Sequence, residues 1–272
     1  SVAPAGDVSG FGVADLTGLA RDFLRLTGAK APFGDLLVIV GHAASVENNA
    51  FAASYECGAC GGNSGHINAR VLAHALNHPA VRDALAAEGW ELPESCSAIA
   101  AIHDTTTDQI EFDPYSEVNP GALAALSADL ERARREVSAE RVAVLPPTPG
   151  VGAGRTDAVA AAQRRSNDWA QPVPEWGLAG NAAFVVGPRN LTAHLDLGGR
   201  VFLHSYEAAS DDSEASALRT ILTAPVVVAH WINSQYYLST VAPTVFGAGD
   251  KTTHNAVGDV GVTSGAHGDL RV

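Results

Sequence analysis

The side chains with the most chemistry to offer lie in one stretch, residues 36–62. His42 follows an apolar run, 36–40, and Gly41. Fifteen residues later comes Cys57, in Cys57-Gly-Ala-Cys60-Gly-Gly. Imidazole and thiolate are the side chains that zinc prefers, and a zinc site takes about four ligands, three of them protein in most catalytic sites. His42 and Cys57 are the candidate ligands, with Cys60 as a spare. The bland readings stand beside this one. A histidine after a strand can be an ordinary core or loop residue, and a CxxC can be redox-active or incidental. A thiol oxidoreductase would need a reactive, low-pKa Cys57 or Cys60, but no thioredoxin-like aromatic precedes the pair.

The elements around these residues follow from pattern. The run 36–40 is short, rich in β-branched residues and closed by a glycine, which predicts a fully buried parallel strand. His42 then stands at its carboxyl end, where open α/β sheets bind ligands. From Gly58 to Gly65 four glycines let the backbone curl round the thiol. A helix over 15–27 should turn Leu16, Leu19, Phe23 and Leu26 inward and stop at Gly28. Helices over 66–77 and 79–88 follow, the first with Ile67, Val71, Leu72, Ala75 and Leu76 inward, the second opened by Pro79. His66, His74 and His78 read as a solvated polar face. A second buried strand, 97–102, again ends in a histidine, His103. A turn at 105–107 leads to a short strand, 109–112. Asn119-Pro120 opens a helix to about 142, a Pro/Gly-rich loop spans 146–155, and another helix covers 156–168. Strands at 182–186 and 200–203 and a helix at 214–223, with Asp211 and Asp212 at its N-terminus, complete the pattern.

Composition excludes several classes. The 272-residue chain is 46% hydrophobic with a formal net charge of −13, so it is globular. Its basic clusters are confined to Arg132, Arg134, Arg135 and Arg164-Arg165, which argues against nucleic acid as a partner. Three cysteines do not make a disulfide framework, and the opening SVAPAGDVSG lacks a signal-peptide pattern, so a reducing, intracellular compartment is expected. Residues 220–249 carry no Asp, Glu, Lys or Arg, but prolines and polar residues interrupt them; they read as buried helix and loop. GVGAG at 150–154 is not a dinucleotide fingerprint, and Gly41-His42-Ala-Ala-Ser45 is not a nucleophile elbow.

LLVIVGH resembles the strand-then-Gly-His segment of the β-carbonic anhydrases. The longer order, Gly41-His42, Asn48-Asn49 and Cys57-Gly-Ala-Cys-Gly-Gly-Asn63, resembles the DabA family, the soluble subunits of energy-coupled inorganic-carbon pumps. The likeness continues in His103-Asp-Thr-Thr-Thr-Asp108, Arg165-Ser-Asn-Asp-Trp169, Pro174-Glu-Trp-Gly-Leu-Ala-Gly-Asn181, His204-Ser-Tyr206, the block from Ala224 to Asn233, Gly249-Asp-Lys251 and His254-Asn255. The resemblance implies an α/β fold, a β-carbonic-anhydrase-like core with a mainly parallel sheet flanked by helices, plus family-specific additions. It divides the chain into the C-terminal half of that core (1–145), the loop 146–155, and a continuation or closely packed subdomain (156–272).

It also implies a Zn2+ site of two cysteines, one histidine and one aspartate, in which His42 and Cys57 match the histidine and the second cysteine. Zinc lowers the pKa of water to about 7, and the chemistry would be hydration of CO2 to bicarbonate. The other cysteine and the aspartate belong to a Cys-x-Asp-x-Arg segment absent here; Cys96 is followed by Ser97-Ala98. With no methionine anywhere, the expectation is the C-terminal part of a longer protein, holding half the zinc site and inactive alone. The implied partner is an integral membrane, ion-translocating subunit of the DabB type, resembling the antiporter-like subunits of respiratory complex I. The implied location is the cytoplasmic face of the cell membrane, as a peripheral protein. The other reading is a non-catalytic, zinc-stabilised docking module for such a partner.

Overall fold

The computed structural model describes residues 10–45, 56, 57, 60, 63–114, 118, 120–143, 155–167 and 182–230. They form a mixed α/β protein with six named α-helices and two small sheets. They fall into two compact units, neither continuous in sequence. The first lies within Ser1–His42, Gly65–His103 and Gln109–Arg132, and the second within Ala43–Ser64, Asp104–Asp108 and Ala133–Val272.

The first unit is built from α1 (Val13–Thr27), β1 (Leu36–Ala43), α2 (His66–Asn77), α3 (Pro79–Ala87), β2 (Ser97–Asp104), β3 (Gln109–Phe112) and the start of α4 (Pro120–Ala143). α1 starts where the Asp15 carboxylate accepts the Gly12 N–H at 3.0 Å. It ends at Gly28, whose φ of 67° is left-handed and glycine-favouring. The buried stripe of α1 is Leu16, Thr17, Ala20 and Leu24. The expected Leu19 is instead 43% exposed. On α2, Ala69, Ala73, Ala75 and Leu76 are buried, while Ile67, expected inward, is 72% exposed. Alanines on the touching faces let helices approach closely, so small residues rather than the largest ones mark the seams between α1, α2 and α3. Leu24, Leu76 and Leu85 are wholly buried in this core. Each contributes roughly 1.5–3 kcal/mol by leaving water.

The sheet order is β1-β2-β3. Ser97 N donates to Asp35 O and Thr105 N to Ala43 O, both at 2.9 Å. The same sequence offset at both ends requires a parallel pair. In a parallel ladder an N–H bonds the carbonyl one residue before its partner. Leu36 therefore lies opposite Ser97, and His42 opposite His103. β3 returns antiparallel through a four-residue turn, with Asp113 N donating to Ala100 O at 2.9 Å. Leu37, Ile39, Ala98 and Ala100 face the helical core. The opposite face carries Val38, Val40 and His42 from β1 and Ile99, Ala101 and His103 from β2. Both strands run further than the sequence suggests, so His42 and His103 lie within the strands rather than after them.

Two polar side chains tie the helices to this sheet. Asn77 pairs with both backbone groups of Ala98, its amide donating to the carbonyl at 2.7 Å and its Oδ1 accepting the N–H at 2.9 Å. Arg82 donates to the carbonyls of Leu76, Pro93 and Cys96. It satisfies a helix-end carbonyl that α2 itself cannot.

The second unit contains the end of α4, α5 (Arg155–Ser166), β4 (Ala183–Gly187), β5 (Val201–Ser205) and α6 (Ser216–Thr223). β4 and β5 are parallel, Ala183 opposite Val201 and Val186 opposite His204. Among the described residues the strands form two small sheets. Asp211 accepts the N–H groups of Ala217 and Leu218, each at 3.0 Å, and the Tyr206 hydroxyl at 3.2 Å. Asp212 accepts those of Glu214 and Ser216. The acidic start expected for this helix thus acts through direct capping. Burial and the Asp211 carboxylate push the Tyr206 hydroxyl above its usual pKa. Residues 225–230 are again helical. The Pro/Gly loop 146–154, the block 174–181 and the remainder of the uncharged region, 231–249, lie outside the described residues. Among the described residues no helix is long and apolar enough to cross a membrane.

Candidate functional site

His42 is half-buried near the end of β1, in the first unit. Its position is set by a close backbone crossing. A Cβ on Gly41 would meet the carbonyl carbon and oxygen of Gly65 at 2.7 Å, and one on Gly65 would meet His42 N at 3.0 Å. Only glycine permits that approach. The approach lets Gly65 N donate to His42 O at 2.8 Å, joining the strand's end to the start of α2. Alternation explains the bond. Ladder bonds to β2 leave from the odd-numbered residues of β1, so the His42 carbonyl points away from β2 toward Gly65.

Cys57 and Cys60 belong to the second unit. Cys57 N donates to Asn63 O and Cys60 N to Cys57 O, each at 3.1 Å, and the Asn63 amide donates to Cys60 O at 3.0 Å. The segment is thus closed on itself, with both thiols half-buried and neither in a disulfide. Cys96 is different in kind. It is 2% exposed, and burial pushes its thiol up from the usual pKa, Asp35 adding to the rise and Arg82 opposing it.

The turn after His103, in the second unit, is densely hydrogen-bonded. Asp104 Oδ1 accepts the backbone N–H groups of Thr106 at 3.0 Å and Ser45 at 3.1 Å, and lies 2.6 Å from the Thr106 hydroxyl. That hydroxyl is 2.9 Å from Ser45 O. Burial pushes the Asp104 carboxyl up, but the bonds from Thr106 and Ser45 outweigh it and hold the group below the ordinary carboxylate range. Asp108 takes a left-handed φ of 56°. Its buried carboxylate pairs with Arg141 at 2.6 Å. Arg141 also donates to Thr105 O and Arg134 to Thr107 O, each at 3.1 Å, and the Ser138 hydroxyl stands 3.4 Å from Asp108. Arg134, Ser138 and Arg141 are spaced four and three apart, one stripe of α4. Reasoning from sequence left the His103–Asp108 block without a chemical role and missed its α4 partners. The stripe itself was the available signal.

An imidazole and half-buried thiols suit zinc chemically. Among the described residues, no group of three or more His, Cys, Asp and Glu side chains is arranged to hold a metal ion. His74 and His78, expected on a solvated face, are half-buried, and their rings meet edge to face with centroids 6.1 Å apart.

Residues 2–272 match the family described as "Probable inorganic carbon transporter subunit DabA". Curated relatives carry the same description. One from Bradyrhizobium sp. is 47% identical over 98% of this chain and 31% of its own length. Another, from Salinibacter ruber, is 48% identical over 92% of this chain and 31% of its own. One from Geobacillus kaustophilus is 47% identical over 92% of this chain and 29% of its own. The chain therefore spans about a third of the length of these relatives. No solved structure matches it.

Proposed function

Because the chain belongs to the DabA family, we propose that it forms part of the soluble subunit of an inorganic carbon transporter and contributes half of a zinc site at which CO2 is hydrated to bicarbonate. The observation that supports this best is the setting of His42, an imidazole at the carboxyl end of a parallel strand, its carbonyl held by Gly65. That is where α/β sheets place ligands.

In this reading His42 and Cys57 hold the metal. A cysteine and an aspartate, from a segment of the full-length protein outside this chain, complete the set in a β-carbonic-anhydrase-like core. Zinc, when bound, supplies the Lewis acidity that makes water a nucleophile near neutral pH. The residues of this chain place the donors. Gly41 and Gly65 fix the strand end that carries the imidazole, and the closed loop around Cys57 and Cys60 presents a thiol. The protein acts at the cytoplasmic face of the membrane, bound to an integral membrane subunit whose ion flow drives the reaction one way.

The test is metal analysis and bicarbonate accumulation with the full-length protein. His42→Ala and Cys57→Ala should each abolish stoichiometric zinc and carbon uptake, while Cys60→Ala is mild. Full zinc occupancy in either of the first two would refute the ligand assignment. Zinc without CO2-dependent proton release in the wild type would instead identify a docking module.

A further inference from the structure

His103 stands directly opposite His42 on the neighbouring parallel strand, as the bonds at both ends of the β1–β2 ladder require. Register partners in a parallel pair point to the same face, and their strands lie roughly 4.8 Å apart. The two imidazoles are therefore neighbours on the face turned away from α1, α2 and α3, and both are half-buried. Their neighbours in the strand register on that face are apolar. Val40 and Ala101 are two residues back along each strand. The antiparallel register of β3 puts Ile110 beside His103. Among the described sheet residues, His103 is the polar side chain nearest in register to His42.

His103 is also unusually well fixed. Upstream, Ile99 and Ala101 are wholly buried. Downstream, Asp104 is held by Ser45 and Thr106. A histidine that binds a metal through one ring nitrogen needs a partner for the other, which sets tautomer and ring orientation.

We propose that His103 is a positioning residue for His42, holding its imidazole in the orientation that metal ligation requires. This rests on the reading of His42 as a ligand, and the experiment separates the two. In the full-length protein, zinc affinity is measured by chelator competition for His42→Ala, His103→Ala and His103→Asn, together with the visible absorption of the cobalt-substituted forms. His103→Ala should bind zinc about ten- to a hundredfold more weakly, still reach wild-type stoichiometry at saturation, and show altered cobalt bands. His103→Asn, which keeps a hydrogen-bonding group, should recover most of the affinity and the wild-type bands. It also keeps the test open should the alanine variant not fold. Unchanged affinity and spectrum in His103→Ala would overturn the proposal. So would loss of zinc at saturation, which would make His103 a ligand itself. If His42→Ala retains wild-type affinity, the ligand reading has failed, and the positioning role with it. If His42→Ala loses zinc while His103→Ala does not differ from wild type, only the positioning role has failed.

Discussion

The Gly41–Gly65 crossing can be tested by adding one methyl group. Gly41→Ala would bring a Cβ to 2.7 Å from the carbonyl carbon and oxygen of Gly65 and to 3.1 Å from His66 N. Carbon contacts are optimal at about 3.5–4.0 Å, so the gap falls short by nearly an ångström. Every atom met is backbone, so no side chain can rotate aside. The strand end and the start of α2 must separate, which stretches the 2.8 Å bond from Gly65 N to His42 O. Overpacking of this kind costs about 1–3 kcal/mol, and loss of the bond about 1 kcal/mol more. The expected destabilisation is about 2–4 kcal/mol, against a total that for folded domains is about 5–15 kcal/mol. Gly18→Ala serves as the control. It lies inside α1 with nothing within 4 Å of an added Cβ, and should stabilise by about 0.5–1 kcal/mol. Urea unfolding reads both. With slopes of about 1–3 kcal/mol/M, Gly41→Ala should shift the midpoint by roughly 0.7–4 M. A midpoint unchanged from wild type, with unchanged slope, would refute the reasoning.

Two further outcomes follow from ionisable groups. The folded-state pKa of Asp104 is depressed, so its contribution to stability is present above the unfolded value of about 3.9 and is lost as pH falls through the folded value. Asp104→Asn should cost about 1–1.5 kcal/mol at pH 7, the difference between charged and neutral hydrogen bonds. The gap to wild type should close on acidification below about pH 4, and a gap independent of pH in denaturant titrations would count against the carboxylate's role. Thiol alkylation should be ordered. Cys57 and Cys60 are half-buried, whereas Cys96 is buried with a raised pKa, so mass spectrometry after brief iodoacetamide treatment should find the first two labelled and Cys96 labelled only on unfolding. Early labelling of Cys96 would contradict its burial.

Most of the element order was legible because the signals were local. Gly28 ends α1, Pro79 opens α3, and the apolar runs that become β1 and β2 are bounded by turn residues. The faces were less legible. In α1, Leu16 belongs to two overlapping stripes, and hydrophobicity favours the one through Leu19 and Phe23. The fold buries the other, through Ala20 and Leu24, because close contact with α2 and α3 rewards a small residue at the crossing. In α2, Ile67 sits in the first turn and is left exposed. Nothing in the periodicity of one helix records where its neighbours cross. The candidate site was legible as residue types. His42 and Cys57 could be named from spacing and resemblance, and the structure adds a backbone setting for each. The facing of His42 and His103 could not be read, since it depends on the register between strands some sixty residues apart, which only the hydrogen-bond ladder fixes.

The clamp on the His103–Asp108 turn fixes the end of β2 through polar bonds. A buried ion pair such as Asp108–Arg141 is weak support for stability, because desolvation offsets most of its Coulomb attraction, yet it is strict about geometry. Here it is joined by arginine bonds to the carbonyls of Thr105 and Thr107, and it sits on a residue with left-handed φ, which aspartate tolerates better than most residues. An apolar turn of the same length would cost less to bury. What the polar version adds is a fixed end to β2. Asp104 extends that constraint to the exit of β1 through Ser45, and Gly65 holds the carbonyl of His42 from the other side. The ends of both parallel strands are thus fixed by bonds that tolerate little displacement. On the reading proposed for His42, such rigidity is what a ligand would need, since metal donors must hold their positions to a fraction of an ångström.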